Sequence, residues 1–272
     1  MKTHLLCIDA QKDFCDKNGS LYVTGAENDI DRLSLMIKKI KNKINKIHIT
    51  MDSHHILSIF HSSWWIDING NNPEPFTIIR YEDVKTKIWV STIPNLYERS
   101  LKYVRELENK NKYLLCIWPN HTILGSEGHA LMPNLFEAIC DWEKNSRDFL
   151  ATINFIIKGT SPYTENYSAI SAEVVDPEDS STNTNWNLIE SLRFSDLIIV
   201  GGEASSHCIL HTIKDLVNFD EFTQRTIPKK LILLEDAMSP VPTFEKQAVD
   251  FLKEMQYKGA TVTTTDKLIN QL

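Results

Sequence analysis

The sequence predicts a three-layer α/β/α sandwich around a mainly parallel sheet of six strands. Three observations point there. Short apolar runs recur through the 272 residues, and most are continuously apolar rather than alternating. That pattern suits strands buried on both faces. Segments of helical period lie between several of the runs, and the runs end in polar or small residues. Strand–helix alternation with right-handed crossovers gives this class of domain.

The runs are HLLCID (4–9), KIHITMD (46–52), KYLLCIW (112–118), NFIIKG (154–159), DLIIVGG (196–202), KLILLED (230–236) and ATVTTT (260–265). Residues 27–44 carry apolar side chains at 30, 33, 35, 36, 37 and 40, and residues 205–219 carry them at 209, 210, 213, 216 and 217. Both spacings predict helices, as do 244–255 and 129–145, the latter starting near 132–133 because of Pro133. Residues 60–100 break the rhythm with prolines, asparagines and the pair Trp64–Trp65. They read as an excursion, a lid over a site or an oligomer contact, ending in a helix near 94–110. The flanks return to the sheet pattern, so 1–272 reads as a single domain.

Composition narrows the function. A hydrophobic content of 42% over this length supports a sizeable core, and a net charge of −7 gives no support for nucleic acid as a partner. Five widely spread cysteines do not read as a disulfide framework. No stretch approaches a membrane span. The expectation is a cytoplasmic protein acting on a small molecule, with no nucleic-acid or membrane partner.

Reactive side chains gather at the predicted strand ends, where open α/β sheets bind ligands. Asp9 ends the first strand, and Asp52 ends the second, followed by Ser53, His54, His55 and then His61. His121 follows the third run, Lys158 ends the fourth and Cys208 follows the fifth. Taken singly, each has an ordinary explanation: a helix cap, a solvated lysine, a buried cysteine. An acid, a base and a thiol on one rim are harder to explain that way. Asp52 and His54 lie two residues apart at a strand end and can turn to one point, with His121 entering from the next. Asp, His, His suits Zn²⁺, Fe²⁺ or Mn²⁺, with His61 as a fourth ligand. The alternative is that these histidines only line a polar pocket.

Six stretches carry a resemblance: IDAQKDF (8–14), MDSH (51–54), WPNHTILGSEGHAL (118–131), IIKGTSPYTENYSA (156–169), VGGEASSHCILHT (200–212) and LLEDAM (233–238). In this order they resemble the isochorismatase-like cysteine hydrolases, a family that includes the nicotinamidases. Thr122 stands where that family usually has Cys, and Glu203, Ser205, Ser206 and His207 replace its common residues before the nucleophile. The resemblance implies the isochorismatase-like hydrolase fold, with a Rossmann-like sheet. It implies a catalytic set of Asp9, Lys158 and Cys208. It further implies an oxyanion hole from the amides of Ala204 and Cys208, a cis peptide between Glu203 and Ala204, and an aromatic slot of Phe14, Trp118 and Tyr167.

The residue types suit amide hydrolysis. The helix beginning at Cys208 and the charge of Lys158 are both expected to favour the thiolate. Asp9 would take the thiol proton and return it to the leaving amine. The resemblance implies conversion of nicotinamide to nicotinate and ammonia in NAD salvage, by a homo-oligomer. One divalent transition metal would bind a pyridine-type ring nitrogen. The alternatives are a cysteine hydrolase of another small amide, an isochorismatase-type hydrolase, which Cys208 argues against, and a scaffold without turnover.

Overall fold

The computed structural model describes residues 1–110, 112–145, 151–221 and 226–272. Six strands form the central sheet: β1 (Thr3–Ile8), β2 (Lys46–Asp52), β3 (Asn154–Lys158), β4 (Leu197–Gly202), β5 (Leu231–Leu234) and β6 (Thr261–Thr263). Their spatial order is β3-β2-β1-β4-β5-β6, and every pairing is parallel. Winding reverses between β1 and β4. That switch point opens a crevice outside the carboxyl ends of these two strands.

Alternation along each strand supplies both faces of the sheet. Leu5 and Cys7 of β1 join Ile47, Ile49 and Ile199 under helices α1 (Ala26–Ile40) and α3 (Pro133–Asn145). Leu6 and Ile8 join Ile198 and Val200 on the opposite face, under α2 (Tyr97–Asn109), α4 (Trp186–Arg193), α5 (Cys208–Glu221) and α6 (Glu245–Tyr257). Asp52 and Lys158 are directly paired across β2 and β3, so their side chains leave the sheet on one face. The predicted helices are all present, with the first ending at Ile40 and continuing as a 3-10 turn over Lys41–Lys43.

The KYLLCIW run corrects one expectation. It does not join the central sheet. Leu115–Cys116 pair antiparallel with Ile78–Ile79 of the excursion. The Ile117 N–H donates to Thr77 O at 2.9 Å, and the Trp118 N–H donates to Phe60 O at 2.8 Å. The run is apolar because it is buried by that excursion. A short pair, Trp65–Ile66 with Val90–Ser91, braces the same region. Trp64 and Trp65 are themselves buried, donating to Ser100 Oγ at 3.0 Å and to Ile59 O at 2.7 Å. They are core anchors, neither a lid nor an oligomer contact.

Candidate active site

Parallel strands bring their carboxyl ends to one rim. Gly202 ends β4 with φ of 113°, and a Cβ there would lie 2.0 Å from Ile8 O. Only glycine allows this approach, which sets Asp9 beside the turn 203–207. The Glu203–Ala204 peptide in that turn is cis. Cys208 then opens α5. The Ala204 carbonyl accepts from the His207 N–H at 3.1 Å and the Ile209 N–H at 3.2 Å. Neither the Ala204 nor the Cys208 N–H is spent on a backbone carbonyl among the described residues, so both remain available to an oxyanion.

Lys158 is the hub. Its Nζ lies 2.9 Å from Asp9 Oδ2, 2.9 Å from Asp52 Oδ1 and 3.7 Å from Cys208 Sγ, and it donates to Asn166 O at 2.8 Å. All four side chains are buried. Thr50 locks the acid: its hydroxyl donates to Asp9 Oδ1 at 2.5 Å and accepts from the Asp9 N–H at 3.0 Å. Gln11, within the quoted IDAQKDF stretch, clamps the end of β2. Its amide accepts from the Asp52 N–H and donates to Asp52 O, each at 2.8 Å.

The electrostatics decide the resting protonation. Burial pushes the Asp9 carboxyl up, although Lys158 opposes it. Burial also favours neutral Lys158, but Asp52 and Asp9 outweigh it and hold the ammonium well above the usual lysine range. Burial raises the Cys208 thiol, Lys158 opposes, and Asp9 and Asp52 add to the rise. The expected pull of Lys158 toward the thiolate is present but outweighed. Two carboxylates and desolvation outweigh one ammonium, and the resting group is the thiol.

The predicted metal ligands converge. Donor atoms of Asp52, His54 and His121 lie within 4.8 Å of one another, all buried. Each His Nδ1 contacts backbone carbonyl oxygen: His54 to Gly159 O at 2.9 Å, His121 to Pro119 O at 2.8 Å, and His61 to His55 O and Ile56 O at 3.1 Å. Backbone contacts at Nδ1 are the usual support of metal-bound imidazole, and they turn Nε2 of His54 and His121 toward Asp52 Oδ2, at 2.8 and 3.6 Å. His61 Nε2 is buried without a partner, and its ring centroid lies 5.6 Å from that of His121. Burial, with His121 and His54 nearby, lowers His61 to about 3 and keeps it neutral. Burial raises Asp52, but His54, Lys158 and His121 prevail and keep it ionised. An anionic carboxylate beside imidazole nitrogens is a donor set that fits a divalent transition metal. A Cβ on Gly159 would come 2.5 Å from His54 Cε1, so the residue after Lys158 must be small.

A small cleft of about 30 Å³ lies over these groups. Phe14, Trp118 and Tyr167 line it, as the motifs implied, with Asp52, His121, Ala204 and Cys208. The Trp118 Nε1–H donates to Tyr167 Oη at 3.1 Å, which fixes both rings. A larger, open groove beside Arg99 and Tyr163 contains none of the strand-end groups. Glu203 and His207, named above as departures before the nucleophile, also line the cleft, and Glu165, which was not anticipated, joins them. Burial and then Asp52 raise Glu165 to about 8, and its Oε2 has no partner. Burial and Asp29 raise Glu203 well above the carboxylate range. Burial lowers His207 to about 3. The available signal for Glu165 was adjacency, since it lies in the quoted lysine turn.

No family model matches the chain, and no curated protein does. Solved structures do. An Acinetobacter baumanii nicotinamidase/pyrazinamidase shares 19% identity, with 98% of each chain covered and a TM-score of 0.63. The yeast nicotinamidase shares 20%, covering 97% of this chain and 99% of its own, with a TM-score of 0.64. A Pyrococcus horikoshii pyrazinamidase, solved in complex with zinc, shares 17%, covering 97% and 99%, with a TM-score of 0.55. The fold is that of the nicotinamidases. At these identities the likeness concerns the fold, and the chemistry must come from the site.

Proposed function

We propose that this chain is a single-domain cysteine amidohydrolase of the nicotinamidase kind, converting nicotinamide to nicotinate and ammonia. The observation that carries the reading is Lys158 Nζ, 2.9 Å from Asp9 and Asp52 and 3.7 Å from the Sγ of Cys208, which lines the aromatic cleft. The nicotinamidases among the similar folds support the substrate.

The thiol is protonated at rest, so its proton must leave as attack begins. Asp9 accepts it while Sγ bonds to the amide carbon. The carbonyl oxygen gains the negative charge and is held by the Ala204 and Cys208 N–H groups, an interaction whose loss costs a factor of roughly 10²–10³ in rate. The carbon–nitrogen bond then breaks, and Asp9 returns the proton to the departing nitrogen as ammonia forms. Water opens the thioester. Asp9 takes one of its protons and passes it to the sulfur as nicotinate leaves. Lys158 stays charged throughout and compensates Asp9 and Asp52. Asp52, His54, His121 and His61 would hold the metal, which supplies a Lewis-acid contact for the pyridine nitrogen. Phe14, Trp118 and Tyr167 orient the flat ring.

The test is ammonia release from nicotinamide by the purified, metal-containing protein, with Cys208→Ala as control. A Cys208-dependent hydrolysis confined to a different small amide would keep the chemistry and replace the substrate. The polar Glu165 and His207 in the cleft favour that second reading. Hydrolysis independent of Cys208 would end both.

A further inference from the structure

His207 directly precedes Cys208 and lines the same cleft. The side chain is only 4% exposed. Its ring is boxed by Phe244, Tyr113, Tyr167 and Trp118, at centroid distances of 4.6, 5.1, 5.3 and 5.5 Å. Nδ1 lies 2.9 Å from Ser206 Oγ, which also accepts the Val241 N–H at 3.0 Å. Ser206 is fully buried, and His207 Nδ1 is the one acceptor its hydroxyl meets among the described residues. A hydroxyl has a single proton to give, so Ser206 donates to Nδ1 and the ring proton resides on Nε2. That Nε2–H is buried and without a partner. A buried donor left open calls for an acceptor.

The nicotinamidase reading, on which this inference rests, already occupies the substrate's other polar atoms. The carboxamide belongs to Cys208, Asp9 and the two backbone N–H groups, and the ring nitrogen belongs to the metal side. Pyridine-3-carboxamide then offers nothing to His207. We propose that the His207 Nε2–H is a specificity-determining donor for a second acceptor on the substrate ring. The cleft would thus favour aromatic carboxamides that carry one acceptor beyond the carboxamide and the metal-facing nitrogen. His207 acts in binding and not in proton transfer.

Pyridine-3-carboxamide and pyrazine-2-carboxamide make a matched pair, because one ring C–H becomes N with almost no change of shape. Their Kd values are measured by calorimetry on the metal-containing Cys208→Ala protein, with and without His207→Phe. Phe keeps the aromatic packing and removes the donor. The ratio of the two Kd values is expected to shift by about ten-fold against pyrazine in His207→Phe, the loss of one hydrogen bond. His207→Gln, which retains a donor, should keep part of the preference. In the active enzyme the same shift should be seen in KM, with kcat little changed. A ratio unchanged by His207→Phe overturns the proposal. Should that variant not fold, the imidazole N–H resonance of ¹⁵N-labelled Cys208→Ala protein decides. It is expected to shift on adding pyrazine-2-carboxamide and not pyridine-3-carboxamide, and equal behaviour with both overturns the proposal. If the wild-type protein hydrolyses neither amide while the binding ratio responds to His207, the nicotinamidase reading fails and this one stands.

Discussion

The two ends of the parallel sheet both bury histidines and treat them in opposite ways. At the amino ends, His48 is closed. Its Nδ1 accepts from Asn154 Nδ2 at 2.9 Å, and its Nε2 lies 3.2 Å from His4 Nδ1. At the carboxyl ends, His61 and His207 have one ring nitrogen held by a neighbour and the other left open. Glu165, also at the carboxyl ends, has an oxygen without a partner. A buried polar group closed within the protein serves the fold. The open ring nitrogens of His61 and His207 lie at the carboxyl ends, beside the strand-end groups, where a ligand can partner them.

Substitutions at the two ends should therefore separate activity from stability. The largest effect is expected at the nucleophile. Cys208→Ala should lower ammonia release by at least roughly 10⁴-fold, as for nucleophiles in other covalent hydrolases. Circular dichroism and the melting temperature should stay near wild type, because the change removes one sulfur atom at the cleft floor. Asp9→Asn comes next. Asn still accepts the Thr50 hydroxyl but cannot take the thiol proton, so kcat should fall by about 10²–10⁴. Lys158→Met should cost activity and also about 3–5 kcal/mol of stability in denaturant titrations, because Asp9 and Asp52 would face each other uncompensated. Collapse of activity in any of these with full recovery by a distant suppressor of unfolding would move that residue to the structural class.

Metal removal should act more modestly. Chelation, or His54→Ala, should raise KM for nicotinamide by roughly 10- to 100-fold. Alkylation of Cys208 by iodoacetamide should proceed as before, since it needs only thiolate formation and access. Returning Zn²⁺, Mn²⁺ or Fe²⁺ should restore the chelated protein but not His54→Ala. Full activity in metal-free protein would return those histidines to pocket lining.

The smallest effect belongs to the closed end. His48→Asn should destabilise the fold by roughly 1–3 kcal/mol, through unsatisfied partners, and leave ammonia release unchanged. The pH dependence follows from burial, which lowers His4 to about 4 and His48 to about 3. In the unfolded chain each takes a proton near 6.5, so between these values the unfolded state binds more protons. Stability present above pH 6.5 is then lost as the pH falls toward 4. The melting temperature should drop across that interval, and less steeply in His48→Asn. A loss of turnover at pH 7 in that variant would blur the division between the two ends.

Much of this was legible in the chain. Continuous apolar runs marked β1, β2, β3, β4 and β5 because both faces of this sheet are covered. The residues following them named Asp9, Asp52, Lys158 and Cys208, since a parallel sheet collects its carboxyl ends. KYLLCIW misled because a run buried by a loop excursion is as apolar as one buried in a sheet. The Trp64–Trp65 pair misled for the same reason, as exposure cannot be read from an irregular segment. Glu165 stayed hidden, and His207 was visible only as a departure from the family pattern, because their meaning lies in an unpartnered atom. Partnership depends on Ser206, Val241 and Asn166 being where the fold puts them. The strength of the pull toward the neutral thiol could not be read, because a lysine and a helix start are visible in sequence, whereas desolvation is not.

Covalent catalysis by Cys208 is tested most directly by acid-quenching the metal-containing enzyme during turnover of nicotinamide and mapping its peptides by mass spectrometry. The expected result is a nicotinoyl thioester on the peptide bearing Cys208, formed before nicotinate accumulates and absent from Cys208→Ala. Nicotinate produced while that peptide stays unmodified at every quench time, with Cys208→Ala turning over at the wild-type rate, would contradict it.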